Sequence, residues 1–126
     1  MINIRKAERS DAKNIAALAI QVWLDTYAIN GIRSVISDYI FAELSPQRFE
    51  AILTSSNKSI LIAEQNHHVI GFGMLLFHSP CPSDQRVVVE LDKLYVQPNF
   101  CGCGIGGQLL KACLLYTSPS PRDRYI

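Results

Sequence analysis

The chain has 126 residues, 48% of them apolar, and a formal net charge of +1. This length and composition suit one domain with a packed core, and the near-neutral charge excludes a nucleic-acid binder driven by electrostatics. No apolar run approaches the ~20 residues of a membrane span, and the polar opening Met1-Ile2-Asn3-Ile4-Arg5-Lys6 is no signal peptide, so the expectation is a cytoplasmic protein with neither nucleic acid nor membrane as partner.

Ile2 to Ala7 alternates apolar and polar residues, as a half-buried strand does. Ser10-Asp11-Ala12-Lys13 reads as a helix start with Ser10 or Asp11 as cap. Ile15, Leu18, Ala19, Val22 and Trp23 then recur at helical spacing to about Ala28, before Asn30-Gly31 ends the helix. A second helical pattern covers Ser34 to Leu44. Ser45-Pro46 restarts the chain as cap and first-turn proline, with Phe49, Ile52 and Leu53 on the inner face.

Ser59 to Glu64 is a strand, Gln65-Asn66-His67-His68 a hairpin turn, and Val69 to His78 the returning strand. Gly71 and Gly73 within it mark a bulge or close packing. Ser79 to Gln85, with two prolines in three residues, is a loop. Arg86 to Gln97 is the next strand, with an irregularity expected near Asp92-Lys93.

The strand stops at Pro98 and leads into Asn-Phe-Cys-Gly-Cys-Gly-Ile-Gly-Gly and the helical Gln-Leu-Leu-Lys-Ala. Glycines allow close packing and converging N–H groups, and a helix start adds unsatisfied donors and a positive dipole end, so the segment is suited to phosphate. A Walker loop would need Gly-Lys-Ser/Thr where Gly106-Gly107-Gln108 stands. Gly102, Gly104 and Gly107 match the dinucleotide pattern, but that pattern should open a βαβ unit and be followed by a strand ending in an acid. The only acid at a suitable distance, Asp123, lies in a Pro/Ser-rich stretch.

Leu94-Tyr95-Val96-Gln97-Pro98 followed by Gly104-Ile105-Gly106-Gly107-Gln108-Leu109-Leu110 resembles the acetyl-CoA-binding segment of the GNAT acetyltransferase superfamily. Cys101 stands where that family usually has Gln or Arg, which removes a charge from the loop and leaves its backbone donors. The resemblance implies an α/β (α+β) fold with a mostly antiparallel sheet, in the order strand-helix-helix-strand-strand-strand-helix. It further implies a cradle for acetyl-CoA as co-substrate, made by Leu94, Tyr95 and Val96 on the strand and by Cys101, Gly102, Cys103, Gly104, Ile105, Gly106 and Gly107 after it. The implied reaction is direct transfer of acetyl to a primary amine on a small molecule or peptide, with no acyl-enzyme and no metal. A homodimer is the assembly it allows.

Glu90 is the candidate base implied by the resemblance; the alternative is a solvated strand carboxylate or a partner for Lys93. Trp23, Asp25, Tyr27 and Tyr39 fall where the family builds one wall of its acceptor pocket, and Trp23 and Tyr39 read equally well as core. Of the cysteines, Cys101-x-Cys103 lacks zinc spacing. His67, His68 and His78 could join Cys81 in a site, but free thiols are the expectation, and no His stands near the loop cysteines to activate a nucleophile.

From Cys113 the composition changes to Cys-Leu-Leu-Tyr-Thr-Ser-Pro-Ser-Pro-Arg-Asp. This stretch resembles the translation of a transposon end and adapter from sequencing libraries. The expectation is therefore that residues 1–112 are the N-terminal portion of a GNAT domain and 113–126 a non-native tail. The C-terminal strand-helix-strand-strand part and its thiolate-protonating Tyr would then be missing, leaving an inactive fragment. A rival of another class is an acyl-CoA-binding regulatory module without catalysis. A third, a nucleotide-binding oxidoreductase fragment, needs a strand after the loop helix.

Overall fold

The computed structural model describes residues 2–78, 88–100, 102 and 104–117. The loop Ser79–Gln85, the strand start at Arg86 and Val87, Cys101, Cys103 and the residues from Ser118 onward lie outside them. The elements are β1 (Asn3–Lys6), α1 (Ala12–Tyr27), α2 (Ser34–Glu43), α3 (Pro46–Leu53), β2 (Lys58–Gln65), β3 (His68–His78), β4 (Val88–Val96) and α4 (Ile105–Thr117). This is the expected α+β class, with one helix more than the expected strand-helix-helix-strand-strand-strand-helix order: α3, which Ser45-Pro46 starts, stands as a separate helix between α2 and β2. No helix among the described residues is long and apolar enough to cross a membrane.

Most of the local signals act as their chemistry dictates. Ser45 Oγ accepts from the Arg48 N–H at 3.2 Å, and Pro46 fills the first turn of α3, where its missing donor costs nothing. Asn66 and His67 both have positive φ, 53° and 67°, in a two-residue loop between the paired Gln65 and His68. That is the type I′ pattern, whose twist matches the strands it joins. α1 ends with the Ala28 N–H on Leu24 O at 2.9 Å, and Gly31 at φ 110° turns the chain toward α2.

Of the two caps read from the sequence, Asp11 occupies the N-cap position of α1, but its side chain does not cap the helix. A 3-10 turn over Arg9–Asp11 precedes α1, and Asp11 makes no side-chain cap bond to that helix. Its carboxylate reaches back to the Glu8 N–H at 2.7 Å, and both oxygens accept from Arg5 at 2.9 Å. Arg5 also reaches Glu64 on β2, with both contacts at 3.0 Å. Charge-assisted bidentate bonds are roughly twice as strong as neutral ones, so Arg5 determines where Asp11 points. These bonds hold the Asp11 carboxyl below its ordinary range, and the Arg5 bonds do the same to Glu64.

The antiparallel sheet runs β1-β2-β3-β4. Strand alternation sends Ile60, Ile62, Phe72 and Met74 to one face, where α1, α2 and α3 cover them with Ile15, Ala19, Ile40 and Phe49. Leu61, Ala63 and Leu75 go to the other face and meet α4. The register slips between Ala63 and Glu64, so Ile70 is a bulge residue and packs with Ile105 and Leu109. Gly71 and Gly73 mark the close-packing alternative. A Cβ on Gly71 would lie 3.0 Å from both Leu109 Cδ1 and the Tyr95 carbonyl oxygen, and one on Gly73 would lie 3.0 Å from Cys113 Sγ. Cys113 is buried there, and burial pushes its thiol pKa up.

Two outcomes follow for stability. Arg5→Met is expected to cost about 2 kcal/mol at neutral pH, a value reduced for the partial exposure of the network. Asp11 and Glu64 have folded pKa values below their unfolded ones, so their contribution is complete above the ordinary carboxylate range and is lost as pH falls through the folded values. Urea midpoints of wild type and Arg5→Met should therefore converge at acid pH; a gap that stays constant would contradict this account. Gly71→Ala should lower stability by about 1–3 kcal/mol, because the Tyr95 backbone cannot give way. An unchanged urea midpoint would show that α4 does not sit this close.

Candidate active site

The site is organised by a break in β4. Met74 pairs with Lys93 and Leu75 with Leu91, so Asp92 is the extra residue of a bulge at the irregularity expected from the sequence. The bulge changes the phase of the strand. Glu90 and Tyr95, an odd number of positions apart, would otherwise face opposite sides of the sheet. With it, Glu90 lies opposite Leu76, Lys93 opposite Met74 and Tyr95 opposite Phe72, all on the face covered by α1–α3. Leu94 and Val96, opposite Gly73 and Gly71, face α4.

β4 is the edge of the sheet among the described residues. The Gln97 N–H points inward, donating to Ile70 O at 2.8 Å. Alternation along an antiparallel strand then directs the N–H groups of Leu94 and Val96 to the outer side. Glu90 is exposed at this edge, while Lys93 pairs with Asp92 at 3.5 Å. Lys93 is thus held by its neighbour Asp92, the bulge residue.

Beyond β4, a 3-10 turn at Pro98–Phe100 leads to the glycines. Gly102 and Gly104 have φ of 89° and 83°, in the region that side-chain-bearing residues seldom adopt. A Cβ would meet nothing within 4 Å at either position, so backbone conformation and not space calls for glycine. Gly104 O accepts the first helical bond, from Gln108 N–H at 3.0 Å. The donors of Ile105, Gly106 and Gly107 thus fall in the opening turn, where a helix has no partner for them. Ile105 is buried with Ile70 and Phe100, which fixes where that turn begins. Cys101 and Cys103 lie outside the described residues.

Trp23, Tyr27 and Tyr39 come together on the other side of the bulge. The Trp23 ring stacks on Tyr39 at 4.7 Å and 19°, and Tyr27 tilts against it at 4.6 Å. Trp23 and Tyr39 are half-buried against the core, whereas Tyr27 is exposed. Tyr95 packs on Phe72 at 5.2 Å. Burial pushes its phenol pKa up, and nearby Tyr39, Tyr27 and Asp92 add to that effect. A cavity of about 140 Å³ opens beside Tyr39 and the bulge, with Asp92 and Lys93 at one side and Arg48 and Lys58 at the other. A larger one, about 400 Å³, lies at the α1–α2 connection around Tyr27 and Arg33 and includes no β4 residue.

Sequence reasoning missed Arg48 and Lys58. They come from α3 and the start of β2, carry no motif, and reach the bulge only through packing. Asp25 is brought to neither cavity. Among the described residues no three His, Cys, Asp or Glu side chains are grouped as a metal site would require.

Comparison with known proteins shows the family. The GNAT acetyltransferase domain matches residues 56–124. An uncharacterized N-acetyltransferase of Mycobacterium tuberculosis is 30% identical over 105 residues, covering 83% of this chain. A counterpart in Mycobacterium bovis gives the same figures. The chain spans 64% of the length of these relatives. Among solved structures, the PaiA N-acetyltransferase of Thermoplasma acidophilum in complex with coenzyme A superposes with a TM-score of 0.78 at 24% identity, covering 92% of this chain and 71% of that one. A ribosomal-protein-alanine N-acetyltransferase of Brucella melitensis gives 0.64 at 20%, with coverage of 93% and 71%. With the domain match spanning more than half of its 126 residues, the chain belongs to the GNAT acetyltransferase family.

Proposed function

We propose that the chain carries the donor-binding face of an N-acetyltransferase, which moves acetyl from acetyl-CoA to a primary amine by direct transfer. The observation that carries this reading is continuity. A bulged edge strand runs through two glycines of positive φ into the open first turn of α4. Edge donors and helix-end donors thus follow one another along the chain, as a ligand with a thioester at one end and a pyrophosphate at the other requires.

In this reading the backbone of Leu94, Tyr95 and Val96 runs along the pantetheine arm, with the Leu94 N–H aimed at the thioester oxygen. Gly102, Gly104, Ile105, Gly106 and Gly107 receive the pyrophosphate on their amides. Trp23, Tyr27 and Tyr39 form the acceptor wall. The amine nitrogen attacks the acetyl carbonyl, and a C–N bond forms. Glu90 takes the amine proton, directly or through a water, from the face it shares with Tyr95. The tetrahedral centre then collapses, the C–S bond breaks and CoA leaves as thiolate. The relative bound to coenzyme A has the same fold, which supports CoA as the donor's carrier.

Calorimetric titration of the 126-residue chain with CoA tests the donor side. Gly104→Val forces a branched side chain into left-handed backbone at ~1–2 kcal/mol and should weaken CoA binding about tenfold. Wild type that binds no CoA at millimolar concentration would end the reading. For the chemistry, in a chain extended to the full length of its relatives, Glu90→Gln should slow acetyl transfer to an amine by about 10²–10⁴-fold with CoA affinity unchanged. Equal rates, followed by thiol release, would remove Glu90 from its role.

A further inference from the structure

We infer that the acceptor is a free amino acid, its carboxylate held by Lys58 in the cavity beside the β4 bulge and its amine directed toward Asp92 and Glu90. The inference rests on the acetyltransferase reading and names the substrate class of that site.

Size is the first argument. The cavity holds about 140 Å³, below the ~300–1,000 Å³ of sites for drug-sized ligands. It suits a small molecule better than an oligosaccharide.

Charge is the second. Both signs line the cavity: Arg48, Lys58 and Lys93 against Glu43 and Asp92. Two of the cations are already matched, Arg48 to Glu43 at 3.3 Å and Lys93 to Asp92 at 3.5 Å. Lys58 is half-buried and has no carboxylate of a described residue in ion-pair range. A partly desolvated ammonium without a counter-ion favours an anion from the ligand. A zwitterion answers Lys58 with its own carboxylate, which a diamine cannot do.

Register is the third. Lys58, Leu76 and Glu90 occupy one cross-strand row on the α1–α3 face. Strands lie about 4.8 Å apart, so the row has a cation at one end and a carboxylate roughly 10 Å away. Long side chains at both ends shorten that gap to the span of a zwitterion. Leu76 lies between them, and with Tyr39 and Met74 it gives the cavity an apolar wall for a small side chain.

The test is direct binding, separate from turnover. The 126-residue chain is titrated with glycine, leucine and lysine, each against its α-amide, and with putrescine, following the methyl signal of Met74 by NMR. At least one free acid should bind tenfold or more tightly than its amide. Lys58→Ala should abolish that preference while leaving CoA affinity unchanged. Amides that bind as well as acids, putrescine binding most tightly, or a Lys58→Ala chain with wild-type preference would each overturn the inference. Lys58→Gln, which keeps the stem, serves the same purpose if the alanine variant does not fold. Loss of CoA binding with the acid preference intact would refute the acetyltransferase reading and not the pocket, whereas CoA binding without acid preference would refute the pocket alone.

Discussion

α4 can rest on the sheet only because β3 presents no side chains at Gly71 and Gly73. Leu109 and Cys113 occupy the space that two Cβ atoms would fill, and the Tyr95 carbonyl closes the same gap from the side. The helix is thereby anchored to β3, the central partner of β4. Its first turn, Ile105 to Gly107, is consequently held beside the end of β4. Protein interiors transmit rather than absorb such contacts, so a displacement at Gly71 would be felt at the start of α4.

The Asp92 bulge has the complementary effect on the other face. By changing the phase of β4 it puts Glu90, Lys93 and Tyr95 together under the helices, while Leu94 and Val96 continue to pack toward α4. One strand then serves two layers: Tyr95 lies near the aromatic residues Tyr27 and Tyr39 with Glu90 and Lys93 on the same face, and apolar groups turn toward α4. In the proposed reading this is how a base on one face reaches an amine attacking a donor held along the edge.

Features of short range were legible in the sequence. The periodicity of α1, the Ser45-Pro46 start of α3, the Asn66-His67 turn and the irregularity near Asp92 rest on neighbouring residues, and each appears in the structure. The GNAT resemblance was carried by one contiguous segment, and the family was legible for that reason. What escaped depends on partners far along the chain. Asp11 does stand at the N-cap of α1, but its side chain turns to Arg5, which also grips Glu64, 59 positions further along the chain than Arg5 itself. The phase change that unites Glu90 with Tyr95 needs the register against β3, which alternation along β4 does not contain. Lys58 and Arg48 carry no local signature and line the cavity beside the bulge only once α3 and β2 pack.

β1 stands apart from the rest of the sheet in one respect. β2 and β3 are joined by two residues, so their pairing needs little chain to be gathered. β1 must instead find β2 across the whole of α1, α2 and α3. Loop closure grows only as the logarithm of length, so this span is a modest thermodynamic load but a slow search. Arg5 answers it with one side chain that grips β2 through Glu64 and the entry to α1 through Asp11. It acts as a clasp that fastens a four-residue strand to both elements at once. When that clasp opens, β1 is expected to peel away before the other strands part, exposing the edge of β2 as the molecule's point of entry for exchange with solvent.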